Sequence, residues 1–244
     1  MHPIPTQSFL RLGELVNKIA TSASKLKKRL HTARKKIRAI TQEHRRIAKA
    51  KGLYAVCVTL TYADNSAFGA KHVTRFLRCL RSKLKRLGYP LLYVWTLERA
   101  YALHYHLTLW LPYGLTLKHG DLKRWWPWGK TWTKSCRTVA AWVKYISKYE
   151  DKANLPPAAR LFGYGGLDAA GETSVSKAMM PIWLKRVVPR DVVPRRMAGG
   201  GWVDQLSGEV FLSPWIWTPH GLQLKAQLSG QPHLSDQLDT AYSG

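Results

Sequence analysis

Leu26, Leu30, Ala33, Ile37, Ile40, His44 and Ile47 recur at alternating steps of four and three residues, a spacing that predicts a helix over 21–50 with Ser22 or Ser24 as its cap. Lys25, Lys27, Lys28, Arg29, Arg34, Lys35, Lys36, Arg38, Arg45, Arg46 and Lys49 surround that stripe, opposed only by Glu43. The stripe is a docking face and the cations a solvated or phosphate-tracking face. Like charges beside the seam argue against a self-associating coil. Residues 1–20 carry no clear pattern.

The next segment, YAVCVTLTY at 54–62, is β-branched and aromatic, and predicts a buried strand. Asp64, Asn65, Ser66 and Gly69 mark a loop. A helix comes next over 72–87, with Phe76, Leu77, Leu80, Leu84 and Leu87 on one side, ended by Gly88 and Pro90. LLYVWTLE at 91–98 and LHYHLTLWL at 103–111 predict an antiparallel hairpin. A short helix over 118–126, a strand over 130–136 and a helix over 138–152 complete the regular pattern. That order predicts an α+β domain with an antiparallel sheet and packed helices. Pro156, Pro157, the 163–166 segment and the glycines at 199–201 punctuate the rest of the chain. Residues 202–213 predict a hairpin turning at Ser207-Gly208, and the last thirty or so residues are polar and expected to be disordered.

Charge changes the picture from fold to partner. Lys and Arg number 39 against 14 acidic residues, a formal net charge of +25 in 244 residues, which points to a polyanion and to nucleic acid first. Cys57, Cys79 and Cys136 are widely spaced and odd in number, as reduced thiols are, with no zinc-type spacing. No stretch is fit for secretion or for spanning a membrane, so a cytoplasmic protein is expected.

Two clusters carry candidate chemistry. His104 and His106 alternate on a strand, so both imidazoles share one face and can hold one metal ion. Glu98 ends the neighbouring strand and can add a carboxylate oxygen. Two nitrogens and one oxygen suit Mg²⁺ or Mn²⁺. Half-buried sheet histidines and a solvated strand end are the plain alternatives. Asp64 is a further carboxylate in a setting typical of turns. The second cluster is Tyr145, Lys148 and Tyr149. On a helix the tyrosines fall one turn apart on one face with the lysine beside them. A phenol can attack phosphorus if the phosphate is polarised. An aromatic packing stripe is the alternative. Trp125, Trp126, Trp128 and Trp132 lie among Lys123, Arg124, Lys130 and Lys134; one or two of these rings are expected to face DNA and the others to fill core.

VTLTY (58–62), HYHLTLWLP (104–112) and YISKY (145–149) together resemble the motif series of HUH-endonuclease rolling-circle replication initiators, and among them those of small single-stranded DNA bacteriophages. The resemblance covers about residues 50–165. It implies an HUH (ferredoxin/RRM-like) sheet, His104, His106 and Glu98 as ligands of Mg²⁺ or Mn²⁺, Tyr145 and Tyr149 as a nucleophile pair, and Lys148 as the motif lysine. The implied reaction nicks single-stranded or extruded origin DNA, leaves a 5′-phosphotyrosine and a 3′-hydroxyl for a polymerase, and later rejoins the displaced strand. No G-x-x-x-x-G-K-[ST] is present, so a host helicase is expected, in a bacterial cytoplasm. The expected organisation is a basic helical arm at 1–50, a nuclease domain at 51–165 and a C-terminal extension at 166–244. A non-catalytic single-stranded nucleic-acid-binding module and an HUH transposase are the other readings.

Overall fold

In a computed structural model that describes residues 6–136, 155–156, 159–198, 200–219 and 221–225, the predicted apolar stripe lies on a longer helix, α1 (Thr6–Ala50). The helix begins at Thr6 rather than near residue 21, so Ser22 and Ser24 are helix interior and not caps. A docked helix extends by one hydrogen bond per residue added, so it can outrun its own amphipathic pattern. The stripe itself is buried as expected: Leu30, Ala33, Ile37, Ile40, His44 and Ile47 are all shielded from solvent.

The chain divides into units Met1–Met179 and Met180–Gly244. The first is built on five strands: β1 (Leu53–Tyr62), β2 (Leu92–Arg99), β3 (Leu103–Pro112), β4 (Gly129–Ser135) and β5 (Phe162–Gly165). They lie in the order β4-β1-β3-β2-β5, every neighbouring pair antiparallel. Helix α2 (His72–Arg86) joins β1 to β2, and α3 (His119–Trp125) joins β3 to β4. The first four strands therefore follow the β-α-β-β-α-β pattern of a ferredoxin-like sheet, and the α+β expectation holds.

Alternation along β3 sorts the two faces. Leu103, Tyr105, Leu107, Leu109 and Leu111 pack with Phe76, Leu80 and Leu84 of α2 and with Leu122 and Trp125 of α3. His104, His106, Thr108 and Trp110 point the other way. There Ile37, Ile40, Ile47 and Ala48 of α1 pack on Leu53, Leu92, Val94 and Trp110. Full burial of an Ile or Leu side chain is worth about 1.5–3 kcal/mol, so this apolar layer holds α1 on the sheet. The exposed ion pair from Arg46 to Asp168, at 2.7 Å, orients it. Asp168 also accepts from the Gly171 backbone N–H at 2.7 Å, at the start of α4 (Ala169–Met179). The α1 layer covers the half of the face where β1 and β2 begin and leaves the half that carries the histidines.

The 163–166 segment, read as punctuation, is instead the edge strand β5. Its glycines serve packing. A Cβ on Gly163 would stand 2.5 Å from the Trp95 ring, and one on Gly165 would stand 2.7 Å from Tyr93. At the end of α2, Gly88 takes φ 78° and stops the helix as its position predicts.

The second unit holds α5 (Ile182–Val187), a three-stranded sheet β6 (Arg195–Arg196), β7 (Trp202–Val203) and β8 (Val210–Phe211), and a hairpin of β9 (Trp215–Thr218) with β10 (Gly221–Leu224). The predicted 202–213 hairpin is present. Asp204 accepts from the backbone N–H groups of Leu206 and Ser207 in its turn, and Gly208 takes φ 76°. The β9–β10 hairpin was not expected. Among the described residues no helix is long and apolar enough to cross a membrane.

Candidate metal centre

Three strands bring the centre together. His104 of β3 lies opposite Glu98 of β2 and Thr61 of β1, and His106 lies opposite Thr96 and Thr59. In an antiparallel ladder directly opposed residues share a face, so these six side chains form two rows across the middle of the sheet. The Glu98 carboxylate is 2% exposed. One of its oxygens lies 3.5 Å from Nε2 of His106 and 3.9 Å from Nε2 of His104. The candidate ligand atoms of Glu98, His104 and His106 all fall within 4.8 Å of one another.

The second nitrogen of each ring is also held. Nδ1 of His104 lies 2.8 Å from the Ala102 carbonyl, which can only accept, so the proton is on Nδ1 and the lone pair is on Nε2. Nδ1 of His106 meets the Thr59 hydroxyl at 3.1 Å. The Thr96 hydroxyl donates to the other Glu98 oxygen at 3.4 Å. Both imidazoles are thus turned with Nε2 toward the carboxylate, the arrangement a cation-binding pair requires. A buried carboxylate beside two neutral imidazole nitrogens matches the donor set of Mg²⁺ or Mn²⁺, and the group can hold a metal ion.

The loop ahead of α2 sets the position of the β2–β3 hairpin. Asn65 Oδ1 accepts from the Leu103 N–H at 2.6 Å, and Asn65 Nδ2 donates to the Tyr101 carbonyl at 3.3 Å, on either side of Ala102. Asp64 is not part of the cluster. It caps the short 3-10 turn at Asn65–Ala67, accepting from the Ser66 N–H at 2.9 Å and from the Ser66 hydroxyl.

Residues 55–154 match a family model of replication-associated proteins of the ORF2 type. No curated protein and no solved structure is significantly similar to the chain. The matched span includes Glu98, His104 and His106, and it reaches past Tyr145, Lys148 and Tyr149. Those last three residues lie outside the described residues, so the structure brings together the metal half of the predicted site alone. Within the matched span Tyr105, between the histidines, is a core residue. It faces α2, and burial pushes its phenol well above the usual tyrosine range.

Thr59, Thr96 and Asn65 are the site residues that sequence reasoning missed. Parity held the signal for the threonines: Thr96 is two positions before Glu98, and Thr59 lies in the threonine-rich first strand. The tryptophans divide as expected. Trp125 and Trp126 are core, Trp128 is half-buried and stacked on His72 at 3.6 Å, and Trp132 is exposed.

Proposed function

We propose that the chain is a rolling-circle replication initiator that nicks origin DNA by transesterification. The observation that carries the reading is the buried Glu98–His104–His106 group, inside a span matching a replication-associated family and in a chain of net charge +25. His104, His106 and Glu98 would hold Mg²⁺ or Mn²⁺, which supplies polarisation of the scissile phosphate. Tyr145 or Tyr149 attacks the phosphorus, an O–P bond to the tyrosine forms, and the P–O3′ bond breaks. The leaving 3′-oxygen takes up a proton and primes a polymerase. Lys148 offsets the charge that develops on the phosphate. Attack on the phosphotyrosine by a 3′-hydroxyl reverses the step and closes the displaced strand, with no net loss of phosphodiester bonds.

On this reading residues 51–165 are the nuclease domain and residues 1–50 a basic arm. The partners are single-stranded or extruded origin DNA with a host helicase and polymerase, in a bacterial cytoplasm. A non-catalytic binding module would have aromatic side chains at the centre of its open sheet face. Here that centre holds Glu98, His104 and His106.

The test is incubation of the full chain with single-stranded circular DNA and Mn²⁺, followed by denaturing electrophoresis. A covalent protein–DNA species is expected for the wild type and none for His106→Ala, which should still bind the DNA. Full nicking by His106→Ala would remove the metal-centre reading.

A further inference from the structure

From β4 we infer a second element of the same face: Trp132, between Lys130 and Lys134, is a stacking platform for an unpaired base of single-stranded DNA next to the metal centre. The inference rests on the nickase reading only for what happens at the metal; the binding it describes stands by itself.

β4 is the edge strand next to β1, on the far side of β1 from β3. Its register places Trp132 opposite Thr59, which is opposite His106, and Lys130 opposite Thr61, which is opposite His104. Trp132 and Lys130 therefore extend the two rows that hold the histidines, and Lys134 comes two positions on, opposite Cys57. Strands lie about 4.8 Å apart, so the Trp132 backbone is about 10 Å from that of His106. That distance suits a nucleotide neighbouring the one at the metal.

Trp132 is 51% exposed and stacks on no other ring among the described residues. Trp125 and Trp126 are buried and Trp128 is half-buried beside them, so a packing role accounts for the other three rings and not for this one. Lys130 and Lys134 are exposed, and neither has a carboxylate partner among the described residues. Lysines alone would be an ordinary guard on an edge strand, since charge there discourages strand addition. An exposed indole between them does the opposite and offers apolar surface. An aromatic face flanked by cations matches the chemistry of an unstacked base with a phosphate on either side. A base paired within a duplex is not available to such a ring.

The experiment measures binding by fluorescence anisotropy with the full chain in EDTA, so that no cleavage intervenes. The probes are a labelled oligothymidylate, an abasic deoxyribose-phosphate oligomer of the same length, and a duplex. Trp132→Thr, which keeps a strand-forming residue, should weaken oligothymidylate binding about 5- to 150-fold, the range one base–aromatic stack spans. It should leave the abasic and duplex probes near wild type, and Trp132→Tyr should restore most of the loss. Lys130→Gln and Lys134→Gln should each weaken the abasic probe as well and flatten the salt slope by about 0.7. Unchanged oligothymidylate binding by Trp132→Thr overturns the inference, as does an equal loss on the abasic probe, which would report misfolding or lost charge steering. Covalent adduct formation is scored separately. A wild type that forms no adduct while Trp132→Thr still loses oligothymidylate sinks the nickase reading and leaves the platform standing.

Discussion

The Thr59 hydroxyl lies 3.1 Å from Nδ1 of His106, directly across the β1–β3 ladder. It is the contact that keeps Nε2 of His106 turned toward Glu98. Thr59→Val removes the hydroxyl at constant shape. Metal affinity should fall about 10- to 100-fold, as it does when a ligand histidine loses its supporting hydrogen bond. Titration with Mn²⁺ followed by electron paramagnetic resonance reads this directly. Nicking by the variant should recover at high Mn²⁺, and Thr59→Ser should behave as wild type. Wild-type Mn²⁺ affinity in Thr59→Val would mean that the ladder, and not the hydroxyl, orients the ring.

The same hydrogen bond shows why the site was legible only in part. Glu98, His104 and His106 could be read because their types and strand parity point to a metal, and the register puts them where parity requires. Thr59 and Thr96 could not be singled out, because threonine on a strand is ordinary and only the register turns a hydroxyl into a partner. The four strands of the central sheet and α2 were legible from period and from their stops. β5 was not. Phe162-Gly163-Tyr164-Gly165 looks like loop composition, and its glycines make sense only once Trp95 and Tyr93 lie against them. The first turns of α1 were missed because no periodic apolar face announces them.

His44 makes a prediction about pH. It is fully buried on α1, with Nε2 3.0 Å from the Gly165 carbonyl and its ring 4.6 Å from that of Trp110. Burial lowers its pKa from 6.5 to about 4. The unfolded chain then binds a proton that the folded chain refuses between these values, so stability is full above about pH 6.5 and is lost as pH falls toward 4. Each tenfold drop in proton affinity is worth about 1.4 kcal/mol, so the loss approaches about 3 kcal/mol at the bottom of that window. Glu43, Asp121 and Asp168 are held below the usual carboxylate range by hydrogen bonds to Arg46, Lys83 and Arg46, against the effect of burial. They add acid sensitivity at lower pH still. His44→Gln keeps an amide donor for Gly165 and cannot titrate. Urea unfolding at pH 7.0, 5.5 and 4.5 should show a smaller loss on acidification for the variant than for the wild type. Equal losses would place the acid sensitivity elsewhere.

The basic face of α1 should supply affinity and no chemistry. Lys27, Lys28, Lys35 and Arg38 are exposed, whereas Lys36 lies 5.0 Å from the centre of the Tyr164 ring and is partly structural. Changing Lys27, Lys28, Lys35 and Arg38 to Gln while keeping Lys36 should therefore weaken single-strand binding without loosening the helix. The slope of log affinity against log salt should fall by up to about 0.7 for each phosphate the arm no longer neutralises. Binding isotherms at several salt concentrations measure it. An unchanged slope would mean that this face meets protein and not phosphate.

The tyrosines decide whether the proposed cycle can close within one chain. Tyr145 and Tyr149 are four positions apart, which on a helix is one turn on one face. Both hydroxyls could then reach the same phosphate in turn, one holding the 5′-phosphate while the other stands ready for the next cut. A nick needs one of them; rejoining after a full round needs the second, or a second copy of the chain. Phe in place of Tyr keeps the ring and removes only the nucleophile, so an effect on folding is not expected. Tyr145→Phe and Tyr149→Phe should each still give a covalent adduct and should each accumulate unjoined strands. The double variant should give no adduct while retaining DNA affinity. Lys148 stands three positions after Tyr145, which ranks Tyr145 as the first attacker. Peptide mapping of the trapped adduct from the wild type tests that order. If every adduct maps to Tyr149 and Tyr145→Phe still joins strands at the wild-type rate, the paired mechanism is wrong. Tyr145 would then be a packing residue.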